Sequence, residues 1–373
     1  MTKHPTRKLI IVLFSVALVS IVMYSCKKET TPTVSPELKA KLGRSLFFDK
    51  GLSNPGGQAC ASCHSPNTGF SDPSHNITST GAMDGLFGNR NAPSIGYSMF
   101  APTFHFDNVD SSYVGGLFLD GRVNTLEEQA QKPFLNVLEM NNADASMVAA
   151  KLQRSGSYSL FLQVYGKVED PDKVLSKMAE AIAAFERTSE MNPFTSKFDA
   201  YLKGQASLTT EELSGMRLFT DTLKGKCANC HLIAPDDASG QVMFTDFTYN
   251  NDGVPKNPKN PFYNLTTAFN PAGVGYIDYG LGAIVNDHAY DGAFKVPTLR
   301  NVAISAPYFH NGAFNTLEET VHFYNTRDVA GSGFATPEIV PTVDHEETGD
   351  LKLTAKEESD IVAFLKTLTD GYQ

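Results

Sequence analysis

The sequence predicts a mainly α protein of two domains with long irregular loops, and three observations carry that prediction. Helical periodicity recurs in six segments along the chain. The pentapeptide Cys-x-x-Cys-His occurs twice, as Cys60-Ala61-Ser62-Cys63-His64 and Cys227-Ala228-Asn229-Cys230-His231, once in each half of the 373 residues. The stretches between helical segments, notably 65–116 and 232–298, are rich in Gly, Pro and Asn and show little strand alternation. Loops of that length are suspect in an ordinary domain, but they are acceptable where a large apolar cofactor supplies the core and the chain wraps around it.

In chain order, Lys3, Arg7 and Lys8 precede an almost wholly apolar run from Leu9 to Met23, followed by Tyr24-Ser25-Cys26-Lys27-Lys28-Glu29. A basic start, a short apolar core and a small residue before Cys mark residues 1–25 as a lipoprotein-type signal peptide. The run of about 15 apolar residues is short against the roughly 20 needed to span a bilayer, so a permanent helical anchor is the lesser reading. Cleavage before Cys26 leaves a lipid-bearing N-terminus; because Tyr24 makes the box imperfect, plain secretion and an uncleaved anchor are the alternatives. All three export the protein, so a periplasmic location with a lipid tie to the membrane at Cys26 is expected. Residues 26–35, rich in Lys, Thr and Pro, read as a tether. Helices are expected over 36–47, 143–165, 171–188, 209–219, 317–324 and 354–368, with capping-box spacing at Thr209/Glu212 and Thr354/Glu357.

The paired pentapeptides carry the chemistry. Two thiols can add across the two vinyl groups of one porphyrin, and the adjacent imidazole then lies under the ring as iron ligand, so each copy reads as the attachment site of a c-type haem. A lone copy could equally belong to a zinc or redox site. Here the chain has five cysteines, four of them in the motifs and Cys26 ending the leader, and none is left for a disulfide. Two covalently bound haems are expected, on Cys60, Cys63 and His64 and on Cys227, Cys230 and His231. The fold class is therefore two cytochrome c-like haem domains, 36–200 and 201–373, with the boundary near 190–206.

Loss of residues 1–25 removes three basic residues and no acidic one, leaving 28 Lys+Arg against 41 Asp+Glu, a net charge of −13. That balance argues against nucleic acid as a partner and suits a small basic electron carrier.

Further segments follow in order: Leu42-Gly43-Arg44-Ser45-Leu46-Phe47-Phe48-Asp49; Arg90-Asn91-Ala92-Pro93-Ser94; Leu119-Asp120-Gly121-Arg122 leading through Leu126-Glu127-Glu128-Gln129-Ala130 and Pro133 to Glu139-Met140; and Pro297-Thr298-Leu299-Arg300-Asn301-Val302 leading to Ala306-Pro307-Tyr308-Phe309-His310-Asn311-Gly312. Around two haem motifs this set resembles, nearly end to end, the bacterial di-haem cytochrome c peroxidase family, which includes the MauG enzymes that mature a tryptophan-derived quinone. The resemblance implies that the N-terminal haem is the peroxide site, with Glu139 and Gln129 on its distal side and Pro133 narrowing that face. The chemistry agrees: cleavage of the O–O bond needs a base that takes a proton from one peroxide oxygen and returns it to the other. It also implies a calcium ion between the haems, held through Asn91, Ser305 and Pro307, which are reasonable hard-oxygen donors. His310 and Arg122 are expected at haem propionates or bracing the domain interface, and His105, His288, His322 and His345, which belong to no motif, at the surface or in structural roles.

The chain departs from that pattern at three places. The removable distal His of the peroxidatic haem falls at Thr80, with His75 close by as a substitute or no ligand at all. The sixth ligand of the second haem, Met in the peroxidases, falls at Tyr324; MauG-type proteins have Tyr there, and a phenolate lowers the haem potential. Met243 is the reserve ligand. The Trp before Asp-Gly-Arg is replaced by Leu119 in a chain without any Trp. The main expectation is a di-haem peroxidase reducing hydrogen peroxide to water with electrons from a small donor such as a monohaem cytochrome c. A MauG-like oxidase of a protein partner and a non-enzymatic electron-transfer cytochrome are the rivals. The sequence leaves open whether the protein forms a homodimer, as relatives often do.

Overall fold

Each main helix begins where a short polar side chain can accept from an orphan amide, the usual N-cap chemistry. Ser35, Thr125, Asp144, Asp170, Ser196, Thr209, Thr316 and Thr354 do this for α1 (Pro36–Phe47), α3 (Leu126–Leu135), α4 (Ala145–Leu152), α6 (Pro171–Glu186), α7 (Lys197–Leu202), α8 (Thr210–Thr220), α10 (Leu317–Thr326) and α11 (Ala355–Lys366). The others are α2 (Cys60–Cys63), α5 (Tyr158–Tyr165) and α9 (Leu281–Val285). The computed structural model describes Met1 and residues 35–236 and 240–373. The rest of the signal peptide, Cys26 and all of the tether but Ser35 lie outside the described residues. Ser35–Gln373 form one compact unit. Among the described residues no helix is long and apolar enough to cross a membrane. Two short antiparallel ribbons, β1 (His105–Asp107) with β2 (Ser112–Val114) and β3 (Tyr249–Asn250) with β4 (Phe294–Lys295), interrupt the loops.

Two helix crossings organise the packing. Helix α1 lies on α6, and α8 lies on α11. Both contacts close on a glycine: a Cβ at Gly43 would stand 1.8 Å from the Ala181 carbonyl oxygen, and one at Gly215 1.9 Å from that of Asp360. Around the second crossing Phe198, Phe219, Phe244 and Phe364 meet edge to face, with Phe198–Phe244 and Phe219–Phe364 centroids both 5.2 Å apart. Since backbone blocks the added methyl on both helices, Gly43→Ala and Gly215→Ala are each expected to destabilise by at least the ~1–3 kcal/mol typical of overpacking. Chemical denaturation of the two variants checks this; wild-type midpoints would refute it.

The two crossings belong to a wider repetition that reading the sequence did not reveal. Gly121-Arg122-Val123-Asn124-Thr125-Leu126-Glu127-Glu128 and Gly312-Ala313-Phe314-Asn315-Thr316-Leu317-Glu318-Glu319 share their Gly, Asn-Thr-Leu-Glu-Glu positions. The caps Thr125 and Thr316 have the same φ of −132° and ψ of 155°. Bridges Leu117–Val123 and Tyr308–Phe314 precede them alike, with Phe118 and Phe309 both at positive φ. In this register Pro133 on α3 corresponds to Tyr324 on α10.

The expected helices over 36–47, 171–188, 209–219, 317–324 and 354–368 form with shifts of up to two residues at their ends, and both capping boxes are made. The stretch 143–165 is two helices, because Ser155, Gly156 and Ser157 turn the chain and Ser155 Oγ accepts from the Ser157 amide at 3.0 Å. Helix α3 was missed. Its first turns are charged and Pro133 lies inside it, yet Pro133 sits late enough that only the final turn loses a donor.

Candidate functional site

Helix α2 presents Cys60 and Cys63, and a 3₁₀ turn at Cys227–Asn229 opens the second motif. His64 Nδ1 lies 3.0 Å from the Phe70 carbonyl oxygen and His231 Nδ1 2.9 Å from that of Phe244. Phe70 and Phe244 both have positive φ (64° and 54°), which turns their carbonyls back on the rings. An imidazole that donates Nδ1–H to a carbonyl keeps its Nε2 lone pair for a metal. Burial lowers the pKa of both rings, that of His231 to about 4, so both are neutral. Burial also pushes the thiols up, Cys63 to about 11 and Cys60, Cys227 and Cys230 to about 12. Among the described residues no three His, Cys, Asp or Glu side chains converge as a metal cage. The donor set suits thioether-linked haem.

One cavity is lined by both motifs. Its walls carry polar atoms that are buried without a partner: Gln58 Oε1, Glu186 Oε2, His310 Nε2 and Glu338 Oε1. Orphans of this kind are rare in native proteins and mark a missing ligand. His310 stacks on Phe294 with centroids 3.8 Å apart and stands 3.9 Å from Glu338, too far to hydrogen-bond.

Gln129, Pro133, Glu139, Arg122 and Thr80 line the same cavity as His64. Glu139 Oε1 accepts from Asn136 Nδ2 at 2.7 Å. Burial raises its pKa above the ordinary carboxyl value, with Asn136 and the Arg122 charge opposing. Arg122 lies over Phe118, its guanidinium carbon 3.5 Å from the ring centroid, and is bound to Asp120 at 2.7 Å. His75 is exposed, its Nδ1 2.8 Å from the Ala306 carbonyl, and is not on the cavity wall.

Beside the second motif, Tyr324 lines the cavity while Met243 is buried outside its wall. The Tyr324 hydroxyl donates to Asp252 Oδ2 at 3.1 Å. Burial, and then the Asp252 charge, holds the phenol well above its usual pKa.

The comparisons extend this site to known proteins. The family model described as di-haem cytochrome c peroxidase matches residues 37–207. The chain is 36% identical over 353 residues to the methylamine utilization protein MauG of Paracoccus denitrificans, covering 89% of this chain and 88% of that protein. The chain belongs to the di-haem cytochrome c peroxidase family. Within it, the cytochrome c551 peroxidase of Nitrosomonas europaea is 33% identical, over 88% of this chain and 79% of that one. The crystal structure of the diheme peroxidase BthA from Burkholderia thailandensis superposes with a TM-score of 0.80 at 34% identity, covering 90% of this chain and 87% of that one. Membership implies two c-type haems. The mainly helical fold expected from the sequence is the fold of this family.

For a di-haem peroxidase, the structure gathers more than the motifs foretold. Asn91, Ser305 and Pro307 line the cavity together. His105, His288, His322 and His345 are exposed, as expected. Two carboxyls were missed. Glu186 of α6, 6% exposed, faces the cavity with its pKa pushed to about 8, first by burial. Asp252 was hidden because its role comes only from meeting Tyr324 across 72 residues. The repeat Asn-Thr-Leu-Glu-Glu was the one sequence signal that could have aligned Pro133 with Tyr324.

Proposed function

We propose that this protein is an exported di-haem peroxidase that reduces hydrogen peroxide to water with electrons from a small c-type cytochrome or similar donor. The observation that carries the reading is that Glu139, Gln129, Pro133 and Thr80 share a cavity wall with His64. The haems, when bound, supply a peroxide-accessible iron at Cys60, Cys63 and His64 and an electron store at Cys227, Cys230 and His231. Glu139, held by Asn136, takes a proton from the near peroxide oxygen and returns it to the departing one; Gln129 orients the peroxide by hydrogen bonding. Pro133 brings no side-chain donor, Thr80 only a hydroxyl, and His75 is held to the Ala306 carbonyl, so none of the three would supply an imidazole to an iron held by His64. The balance is one peroxide, two electrons and two protons to two waters. Residues 36–200 are read as the peroxidatic domain and 201–373 as the electron-transfer domain, with a calcium ion at Asn91, Ser305 and Pro307, a lipid anchor at Cys26 and a periplasmic location. The test is peroxide turnover by purified protein holding both haems, with reduced monohaem cytochrome c; absence of turnover with any reduced donor overturns the reading.

A MauG-like oxidation of a protein partner is the second reading, favoured by Tyr324 on the cavity wall where Met243 is not. If Tyr324 ligates the second iron, Tyr324→Phe is expected to abolish the His/Tyr low-spin signal in electron paramagnetic resonance and raise that haem's potential, since an anionic donor is lost. An unchanged spectrum removes Tyr324 from the ligand set.

A further inference from the structure

Behind the Leu119–Arg122 turn, whose Leu119 and Arg122 line the cavity, a row of rings runs out to the surface. Lys295 of β4, which lines the cavity, pairs with Tyr249 of β3, and its amide donates to the Leu119 carbonyl at 2.8 Å. The Tyr249 hydroxyl donates to the Gly115 carbonyl at 2.5 Å and lies so close to the turn that a Cβ at Gly121 would be 2.2 Å from its oxygen. From Tyr249 the next ring is Phe104, 6.0 Å away edge-on; Phe104 stacks on Tyr113 at 5.2 Å with planes 2° apart; Tyr113 meets Tyr290 at 5.0 Å. Phe106, 40% exposed, and Val109, 88% exposed, border the outer end, with the Phe106 ring 5.0 Å from that of Tyr113.

The ends of this column differ chemically. A phenol is a one-electron donor only where its proton can leave. The Tyr249 proton is held by an amide carbonyl, which is no base, so Tyr249 and Phe104 act as a conduit through closely spaced rings rather than as stable radical sites. Tyr113 and Tyr290 are partly exposed, and a proton lost there goes to water. The exposed apolar pair suits an aromatic ring. Asp107 and Asp110 belong to the same hairpin as Tyr113, and Asp287 and Asp291 lie within three residues of Tyr290; Asp291 is paired with the exposed His288 at 2.8 Å, so the remaining carboxylates leave the neighbourhood acidic and disfavour anions.

We propose that Tyr113 and Tyr290 form a surface oxidation station for neutral or cationic small phenols, connected to the cavity through Phe104 and Tyr249. The proposal rests on the peroxidase reading and adds a second class of reductant to it. Each phenol gives one electron through Tyr290 and releases its hydroxyl proton to solvent, so two phenols become two phenoxyl radicals as one peroxide and two protons become two waters.

The test uses the di-haem holoprotein with hydrogen peroxide and para-cresol, tyramine or para-hydroxybenzoate. Para-cresol oxidation is expected to fall about tenfold or more in the Tyr113→Phe/Tyr290→Phe double variant at full haem content. Tyr290→Trp should restore it, Tyr279→Phe should leave it unchanged, and tyramine should outpace para-hydroxybenzoate. With no phenol present, freeze-quench paramagnetic resonance should show a tyrosyl radical that the double variant lacks, and spin-trap peptide mapping should label Tyr113 or Tyr290. Peroxide turnover with reduced cytochrome c, but phenol oxidation and labelling indifferent to the pair, overturns this proposal alone. No peroxide turnover with any donor overturns the peroxidase reading beneath it.

Discussion

Replacing Glu139 by Gln is expected to lower peroxide turnover by about 10²–10⁴, the usual contribution of a positioned general acid–base group. The amide is nearly isosteric, can still accept from Asn136 Nδ2, and cannot shuttle a proton. Haem content and fold should therefore be retained, and the loss should appear in kcat. The pH profile gives a second check. Burial raises the Glu139 pKa above the ordinary 4.5, against the pull of Asn136 and Arg122. A base must be ionised, so turnover falls as pH drops through that raised value, and the acid limb lies above the usual carboxyl range. In Glu139→Gln this limb should vanish. A variant with wild-type kcat, or with an unaltered acid limb, assigns the proton transfer elsewhere, and Glu186 on the same cavity wall becomes the next residue to test.

Arg300→Met is expected to cost about 3–5 kcal/mol of stability, the range for stripping one partner from a buried ion pair. Arg300 is 1% exposed and grips Asp199 with two parallel bonds of 2.9 and 3.0 Å, while its Nε donates to the Val242 carbonyl at 2.8 Å. Its guanidinium also stands 4.5 Å from the Phe194 centroid and 5.0 Å from that of Tyr97. Removing it leaves the Asp199 carboxylate buried with only Ser196 as partner. The double variant Asp199→Asn/Arg300→Met should recover part of the loss, because no unpaired charge remains. The pair also sets a pH dependence. Burial alone would raise the Asp199 pKa, but the Arg300 and Ser196 bonds outweigh it and bring it below 3.8. The stabilisation is thus present in full above the unfolded carboxyl value and lost as pH falls through the lowered one. Denaturant titration of wild type, single and double variants decides the matter; additive losses in the double variant would show the two residues uncoupled.

How much was legible beforehand differs by element. Helices with a Ser, Thr or Asp cap and an apolar stripe, such as α1, α8 and α11, could be read because cap and period are local properties. Helix α3, which carries Gln129 and Pro133, has the same kind of Thr cap and a buried stripe of Leu126, Ala130 and Phe134 packed on α6, but was missed because Pro133 falls inside it and reads as a breaker. The long loops hold two ribbons that no alternation announced, because two or three residues per strand are too few to show a period.

By itself the sequence determined the local chemistry: where the two Cys-x-x-Cys-His motifs lie, which imidazoles follow the thiols, and that no Trp precedes Asp120. Those are properties of neighbouring residues and need no folding to be seen. Only the tertiary structure decided which distant groups face the cavity. It brought Tyr324 to the wall and kept Met243 off it, set Asp252 against the phenol, turned His75 toward Ala306, and brought Tyr249, Phe104, Tyr113 and Tyr290 into a row from three separate segments. The physical reason is that convergence across the fold comes from packing and turn geometry, to which a linear pattern of residue types is blind.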